Sequence, residues 1–424
     1  SSLFVVKRVQ NLSIRFNEYQ SIPPEGVEGA YYMIKIAFTG CGLGDFIYKN
    51  IDFNSAAFQK YVSIVPGDGG LVPGQLVFTE ELEKFSGKSI TKILNDICGL
   101  KVYDAFNIGG PALVSAICAA QILFNSEAQI RYFGAFGNDK KAKALLGLLE
   151  KLPLNIDNLS LLGDATPYTT VLSDPNYNQG RGERTFINNI GAAGLFDKSF
   201  LNTDFWNSNI VVFGGTAIVP QLHSQLTELL ALAKNKGVFT LVNTVFDFIS
   251  EKKNPDSPWP LGDTLKSLPL IDLLIMDYEE AKRISGQEDF KMITEFYKKN
   301  GANAFIITHG SEPTYIYSSG KKFENVETLL PVCNWISEDF ERNPALKGDT
   351  TGCGDNFVGG AIASIAMQMN DQNNKLSLIE TAVWGTVSGG FACYYTGGTY
   401  FEKYWGEKLE KISEMYVRYN NNLK

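Results

Sequence analysis

Short, unbroken apolar runs alternate along the chain with longer segments in which apolar residues return every three or four positions. The runs Tyr32–Phe38, Ile130–Phe136, Ile210–Phe213, Phe239–Val242, Ile271–Met276 and Ala304–Thr308 are continuous rather than alternating, as strands buried on both faces are. Helical spacing marks Ala112–Phe124, Pro220–Lys236, Lys291–Asn300, Asp355–Met369 and Leu376–Tyr395. Strand–helix alternation predicts an α/β fold with a central, mostly parallel sheet flanked by helices.

Two regions break the alternation. Lys49–Tyr103 carries VPGDGGLVPGQ, and Tyr168–Ile190 reads as two short strands around a Pro/Asn/Gly turn. Together they predict a small β-sheet lid, drawn from about residues 46–66 and 165–190, on a domain spanning 33–400. Residues 1–32 are expected to be an N-terminal extension and 401–424 a C-terminal helix.

Composition narrows the function. With 38 basic and 46 acidic residues the net charge is −8, and no Lys/Arg run favours nucleic acid or an anionic membrane. No apolar run approaches the roughly 20 residues that span a bilayer. The first residues are too polar for a secretory signal, so a cytoplasmic setting is expected. The six cysteines show no metal-binding spacing and are expected as reduced thiols. Only His223 and His309 are present, which argues against a His-rich metal site or a Ser-His-Asp triad.

The chemistry concentrates in Gly348–Gly360, GDTTGCGDNFVGG. Glycines let backbone approach a ligand, and the helix that follows opens with unpaired N–H groups and a positive dipole end. That combination binds anions. An Asp at the same place repels an anion, but it makes sense where a neighbouring hydroxyl must lose a proton. As a lone motif, glycine loop plus Asp is more often an ordinary helix start.

The string DTTGCGD resembles the DTxGAGD signature of the ribokinase/PfkB carbohydrate kinases, departing only at Cys353 where Ala is usual. The likeness runs from about Ile34 to Gly398 and implies a ribokinase-like fold. It implies Asp355 as catalytic base, with Gly352, Cys353 and Gly354 presenting backbone donors to the transferring phosphoryl group. An ordinary carboxylate suffices for that base, because the proton leaves late in a loose transition state. GCGLGD places Asp45 after the first strand, where the family binds acceptor hydroxyls; a turn residue is the plain alternative. Gly109 and Gly110 resemble the family's acceptor-side pair, although Val114 stands where Asn is frequent. FGAFGND, with Gly134, Gly137 and Asp139, is similar to an architectural segment. Arg184 in GERTF is placed to reach the phosphate from the lid, or is a solvated charge.

Asp277-x-x-Glu280 resembles the family's NxxE, implying Mg²⁺ held by Glu280 through water; a helix-start acid cluster is the alternative. Asp349 is a second candidate near the metal. Thr308 and Gly310, in the family's TxG turn, and Thr350 and Thr351 are candidate nucleotide contacts, and His309 reads as structural. The strand LVNTVFDF, with Asn243, departs from the family's acidic motif.

The resemblance implies ATP and Mg²⁺ as cofactors, with a monovalent cation as an optional third. The expected reaction is γ-phosphoryl transfer to a sugar or polyol, with no nucleic-acid or membrane partner and a homodimer through the lid. The alternatives are a nucleoside acceptor, or a protein that keeps the fold as a sugar or nucleotide sensor without turnover. A dehydrogenase is disfavoured, because GCGLGD ends in an acid where a dinucleotide fingerprint needs its third Gly.

Overall fold

The computed structural model describes residues 33–163, 165–180, 182–370 and 375–423. The extension expected over 1–32, and Tyr32 of the first predicted strand, lie outside the described residues.

Fifteen strands are described: β1 (Ile34–Gly40), β2 (Leu43–Tyr48), β3 (Leu76–Phe78), β4 (Ala105–Gly109), β5 (Ala128–Phe133), β6 (Ala135–Phe136), β7 (Ser160–Leu161), β8 (Tyr168–Asp174), β9 (Glu183–Asn189), β10 (Ile210–Gly214), β11 (Phe239–Asn243), β12 (Leu273–Asp277), β13 (Ala304–His309), β14 (Glu312–Ser318) and β15 (Val326–Leu330). Eight form one sheet in the order β15-β14-β13-β12-β11-β10-β1-β5. It is parallel from β5 to β13, and β13–β14–β15 close it as antiparallel strands.

The parallel strands are apolar throughout because helices cover both faces. Ile34, Ile36 and Phe38 of β1 face one layer, made by helices α1 (Pro111–Ile122), α3 (Cys353–Asn370), α4 (Leu378–Ala392) and α5 (Glu407–Asn422). Ala37 faces the other layer, which includes Leu226–Asn235 and α2 (Tyr278–Ser285). No helix among the described residues is long and apolar enough to cross a membrane.

The second sheet, β3-β9-β8-β2-β4, is the lid, and it is larger than the sequence suggested. β2 and β4 belong to it, so it draws on the chain from Leu43 to Gly109 as well as on β8 and β9. Its two faces differ in character. On one, Tyr48, Val77, Leu172 and Ile187 pack with Phe53, Phe58, Leu82 and Ile93 from the 49–103 segment, giving the lid a core of its own. On the other, cross-strand pairing sets Asn107, Asp45, Thr169 and Asn188 in one row across four strands. All four are buried.

Some boundaries differ from the sequence pattern. The run Ile130–Phe136 is two strands, split at Gly134, where a Cβ would lie 2.3 Å from Tyr132 Oη. The helix expected over Pro220–Lys236 is broken at Gln225 into Pro220–Ser224 and Leu226–Asn235. β14 and β15 are pairing partners that continuous apolarity does not mark, since Glu312, Thr314 and Ser318 interrupt the first and Glu327 and Thr328 the second.

Candidate active site

Three pieces of chain converge at the carboxyl ends of the parallel strands, the usual ligand position in such sheets. They are the glycine loop before α3, the lid face bearing Asp45, and the start of α2.

The glycine loop is fixed from behind. Gly348 N–H donates to Cys393 O at 2.9 Å and Asp349 N–H to Tyr395 O at 3.1 Å. Asp349 Oδ1 accepts from Thr351 N at 2.9 Å and from Gly397 N at 3.3 Å, so this carboxylate shapes the turn. Gly352 has φ +75, and a Cβ there would sit 2.5 Å from Gly398 Cα. Only glycine fits both demands. Cys353 N–H is drawn back to Thr350 O at 3.4 Å. The N–H groups of Gly352, Gly354 and Asp355 have no acceptor among the described residues and open the helix toward the cleft. The donor set expected as Gly352, Cys353 and Gly354 is therefore shifted, with Asp355 N–H in place of Cys353 N–H.

Asp355 is half-buried, and its carboxylate accepts no hydrogen bond from the described residues. Burial alone pushes its pKa up to about 7. The sequence called for no such shift. Its own carbonyl accepts from Ser115 Oγ at 2.9 Å, which ties the helix start to α1.

Asp45 lies on β2, within a lid strand rather than in a turn after β1. Its carboxylate also has no hydrogen-bonding partner among the described residues, and it rests over Gly109, where a Cβ would be 2.2 Å from Oδ2. Gly110, at φ +91, carries the chain from β4 into α1 with no room for a side chain beside Gly42. Asp45 is also raised to about 7, by burial first, then by the negative fields of Asp355 and Asp349, with Arg184 opposing. The two acids thus face one cleft.

Arg184 crosses from β9 to the loop. One guanidinium nitrogen donates to Thr350 Oγ1 at 3.0 Å and the other to Thr351 Oγ1. Its register partner is Ser173 and its neighbour two residues on is Phe186, which puts it on the same lid face as Asp45.

Glu280 forms a capping box with Asp277: Glu280 N donates to Asp277 Oδ1 at 2.7 Å, and Asp277 N to Glu280 Oε2 at 3.0 Å. Thr244 Oγ1 donates to the same Oε2. Burial, then Asp277, pushes Glu280 up to about 8, and Asp355 adds to the rise. The helix-start reading of these acids is therefore correct in geometry, yet Glu280 Oε1 has no partner among the described residues. No cluster of three His, Cys, Asp or Glu suited to a metal occurs among the described residues. One free carboxylate oxygen, close enough to feel the charge of Asp355, fits Mg²⁺, which keeps waters and leans on phosphate oxygens.

Thr308 pairs with Asp277 across β12 and β13, and Gly310 turns β13 into β14 at φ +56. Neither forms a hydrogen bond with the glycine loop among the described residues. His309 is exposed and stacks on Tyr278 at 4.6 Å. Val114 is buried against Gly398, which accounts for an apolar residue there. Two polar atoms escaped the candidate set: Thr39 Oγ1 and Asn243 Oδ1, buried and unpartnered at the carboxyl ends of β1 and β11. Their signal is positional, a polar residue closing an otherwise apolar parallel strand.

Comparison with known proteins identifies the family and the fold. The chain belongs to the pfkB family of carbohydrate kinases, whose family model matches residues 103–400. The fold is ribokinase-like. Adenosine kinase 2 of Arabidopsis thaliana is 26% identical over 378 residues, covering 82% of this chain and 99% of the relative. Fructokinase-2 of Oryza sativa is 22% identical over 316 residues, covering 72% and 85%. A ribokinase II of E. coli, solved in complex with ATP and Mg²⁺, superposes with a TM-score of 0.60 at 14% identity, covering 91% of this chain and 99% of that one.

Proposed function

We propose that the protein transfers the γ-phosphoryl group of ATP to a hydroxyl of a sugar or sugar-like acceptor. The observation that carries the reading is the untethered Asp355 carboxylate beside three free backbone donors, facing Asp45 on the lid.

Asp45 accepts a hydrogen bond from one acceptor hydroxyl and holds the sugar against Gly109 and Gly110. Asp355 takes the proton of the hydroxyl that attacks. Its pKa of about 7 suits a base working near neutrality. The N–H groups of Gly352, Gly354 and Asp355 receive the charge on the γ-phosphoryl oxygens. Arg184 closes the lid onto Thr350 and Thr351 and excludes water. Thr308 and Gly310 border the nucleotide side. Glu280 would hold Mg²⁺, which would supply neutralisation of phosphate charge, while Asp349 serves the loop.

A nucleoside acceptor is the second reading, favoured by the lid face itself. Beyond the row Asn107, Asp45, Thr169 and Asn188, the same face continues with Ile47, Val171 and Phe186. A polar row for ribosyl hydroxyls next to an apolar strip suits a flat base. Similarity to an adenosine kinase and a fructokinase supports both readings. ADP release with Mg·ATP against sugars, polyols and nucleosides tests them. Stimulation by one acceptor, lost in Asp355→Asn, is the expected result. Nucleotide binding with no turnover on any acceptor overturns the enzyme reading.

A further inference from the structure

Cys353 Sγ and Cys393 Sγ lie 3.5 Å apart. All six cysteines are free thiols. The two belong to opposite ends of one device. Cys353 ends the glycine loop as the first residue of α3, and Cys393 caps α4. Cys393 also holds the other end of that loop, because its carbonyl accepts the Gly348 N–H at 2.9 Å. Cys353 O also lies against Gly389 of α4, where a Cβ would be 2.8 Å away, so the end of the loop is packed on that helix.

We infer that Cys353 and Cys393 form a thiol modification site at which a peroxide-class oxidant closes a disulfide and locks the glycine loop. The consequence for turnover rests on the kinase reading above; the crosslink does not.

A disulfide needs Sγ–Sγ of about 2.05 Å, so the sulfurs must close by roughly 1.5 Å, within reach of two half-buried side chains at a loop and a helix end. The contact with Cys353 holds the Cys393 thiol below its usual range, while that contact and burial raise Cys353. One thiol of the pair, as its thiolate, attacks hydrogen peroxide, forming the S–O bond of a sulfenic acid and releasing hydroxide. The other thiol then displaces that oxygen as water, with its own proton completing the leaving group. Two thiols lose two electrons and one peroxide gains them. Closure draws the Cys353 backbone toward α4, tilting the adjacent Gly352 and Gly354 donors away from the γ-phosphoryl position.

The experiment treats the full-length protein with hydrogen peroxide, maps disulfides by peptide mass, and follows ADP release before and after dithiothreitol. A Cys353–Cys393 crosslink is expected, with turnover down about tenfold or more and restored by reduction. Cys393→Ala alters no proposed ligand contact, and is expected to turn over as the parent does and to resist peroxide. The inference is overturned if both cysteines map as free thiols after oxidation. Pairing of Cys393 with the nearby Cys333 instead also overturns it, as does a Cys393→Ala protein that loses turnover like the parent. Should no acceptor be phosphorylated, the mass map still decides the crosslink, so a failed kinase reading is told apart from a failed site.

Discussion

Arg184 and Thr350, 166 residues apart, meet at 3.0 Å and join the lid to the glycine loop. The neighbouring contact to Thr351 makes the guanidinium a fork across two hydroxyls. Lysine has one compact head and cannot span both. Arg184→Lys is expected to lower kcat/KM for the acceptor about tenfold and Arg184→Ala about a hundredfold, because closure is lost. The side chain is half-buried and in no ion pair among the described residues, so urea midpoints are expected to stay within about 0.5 kcal/mol of the parent. Unchanged kinetics in both variants would show that the bridge is decorative.

Asp355→Asn removes the proton acceptor and keeps the shape. Since no described donor holds the carboxylate, the substitution breaks no protein hydrogen bond. A kcat loss of about 10²-fold or more is expected, with Mg·ATP affinity by calorimetry nearly unchanged. A variant that keeps kcat would move the base elsewhere.

The parts of this site legible in the sequence are those built from contiguous residues. The anion loop needs glycines, a helix start and an acid within one stretch, and Gly352–Asp355 supplies them side by side. The parallel strands were legible because burial on both faces leaves an unbroken apolar signature. The lid was less so. β2 owes its identity to β4 and β8, partners about 60 and 125 residues away, and its own sequence LGDFIY carries a Gly and an Asp that read as a turn. Glu280 shows the opposite limit: one residue satisfies both a capping box and a candidate metal position, and spacing alone does not separate the two. The Cys393 contact with Cys353 and the buried Lys408 depend wholly on tertiary packing.

Acidity gives a separable signature. Asp355 and Asp45 are each pushed up to about 7. Asp355 must be ionised to take the acceptor's proton and Asp45 to hold a second hydroxyl as a charged hydrogen-bond acceptor, so kcat/KM is expected to rise through neutral pH and level off above it. Below the transition the limiting slope of log kcat/KM approaches about two, because the coupled pair loses two protons. Asp45→Asn should leave a slope of about one on its residual activity. A flat profile from pH 6 to 8 counts against both assignments.

Stability moves the other way. Glu280, ordinarily near 4.5, is raised to about 8 in the folded protein. Between those values the folded chain holds a proton that the unfolded chain has released, so unfolding free energy falls as pH rises across the window. Asp45 and Asp355 act in the same sense from about 4 to 7. Thermal melts without Mg²⁺ or nucleotide are expected to show Tm declining from pH 5 to 8. Glu280→Gln should flatten the upper part of that decline. A Tm that climbs toward pH 8 contradicts the assignment.

The glycine loop is also tied to α5. Lys408 of α5 is 1% exposed and forms no ion pair among the described residues. Its ammonium donates to Asn356 Oδ1 at 2.7 Å and Gln121 Oε1 at 3.1 Å. Asn356, next to Asp355, in turn donates its amide to Gly352 O and Gly398 O, each at 2.8 Å. Lys408→Met keeps the volume and leaves two buried amide oxygens without donors, which is expected to cost about 2–4 kcal/mol, read as a lower urea midpoint. Asn356→Asp separates support from stability. It keeps an acceptor for Lys408 but loses both amide donors to the loop, so turnover is expected to fall about tenfold while the midpoint shifts less than in Lys408→Met. If Lys408→Met unfolds at the parent's urea concentration, the tether contributes nothing and the loop is held by its contacts with Cys393, Tyr395 and Gly397 instead.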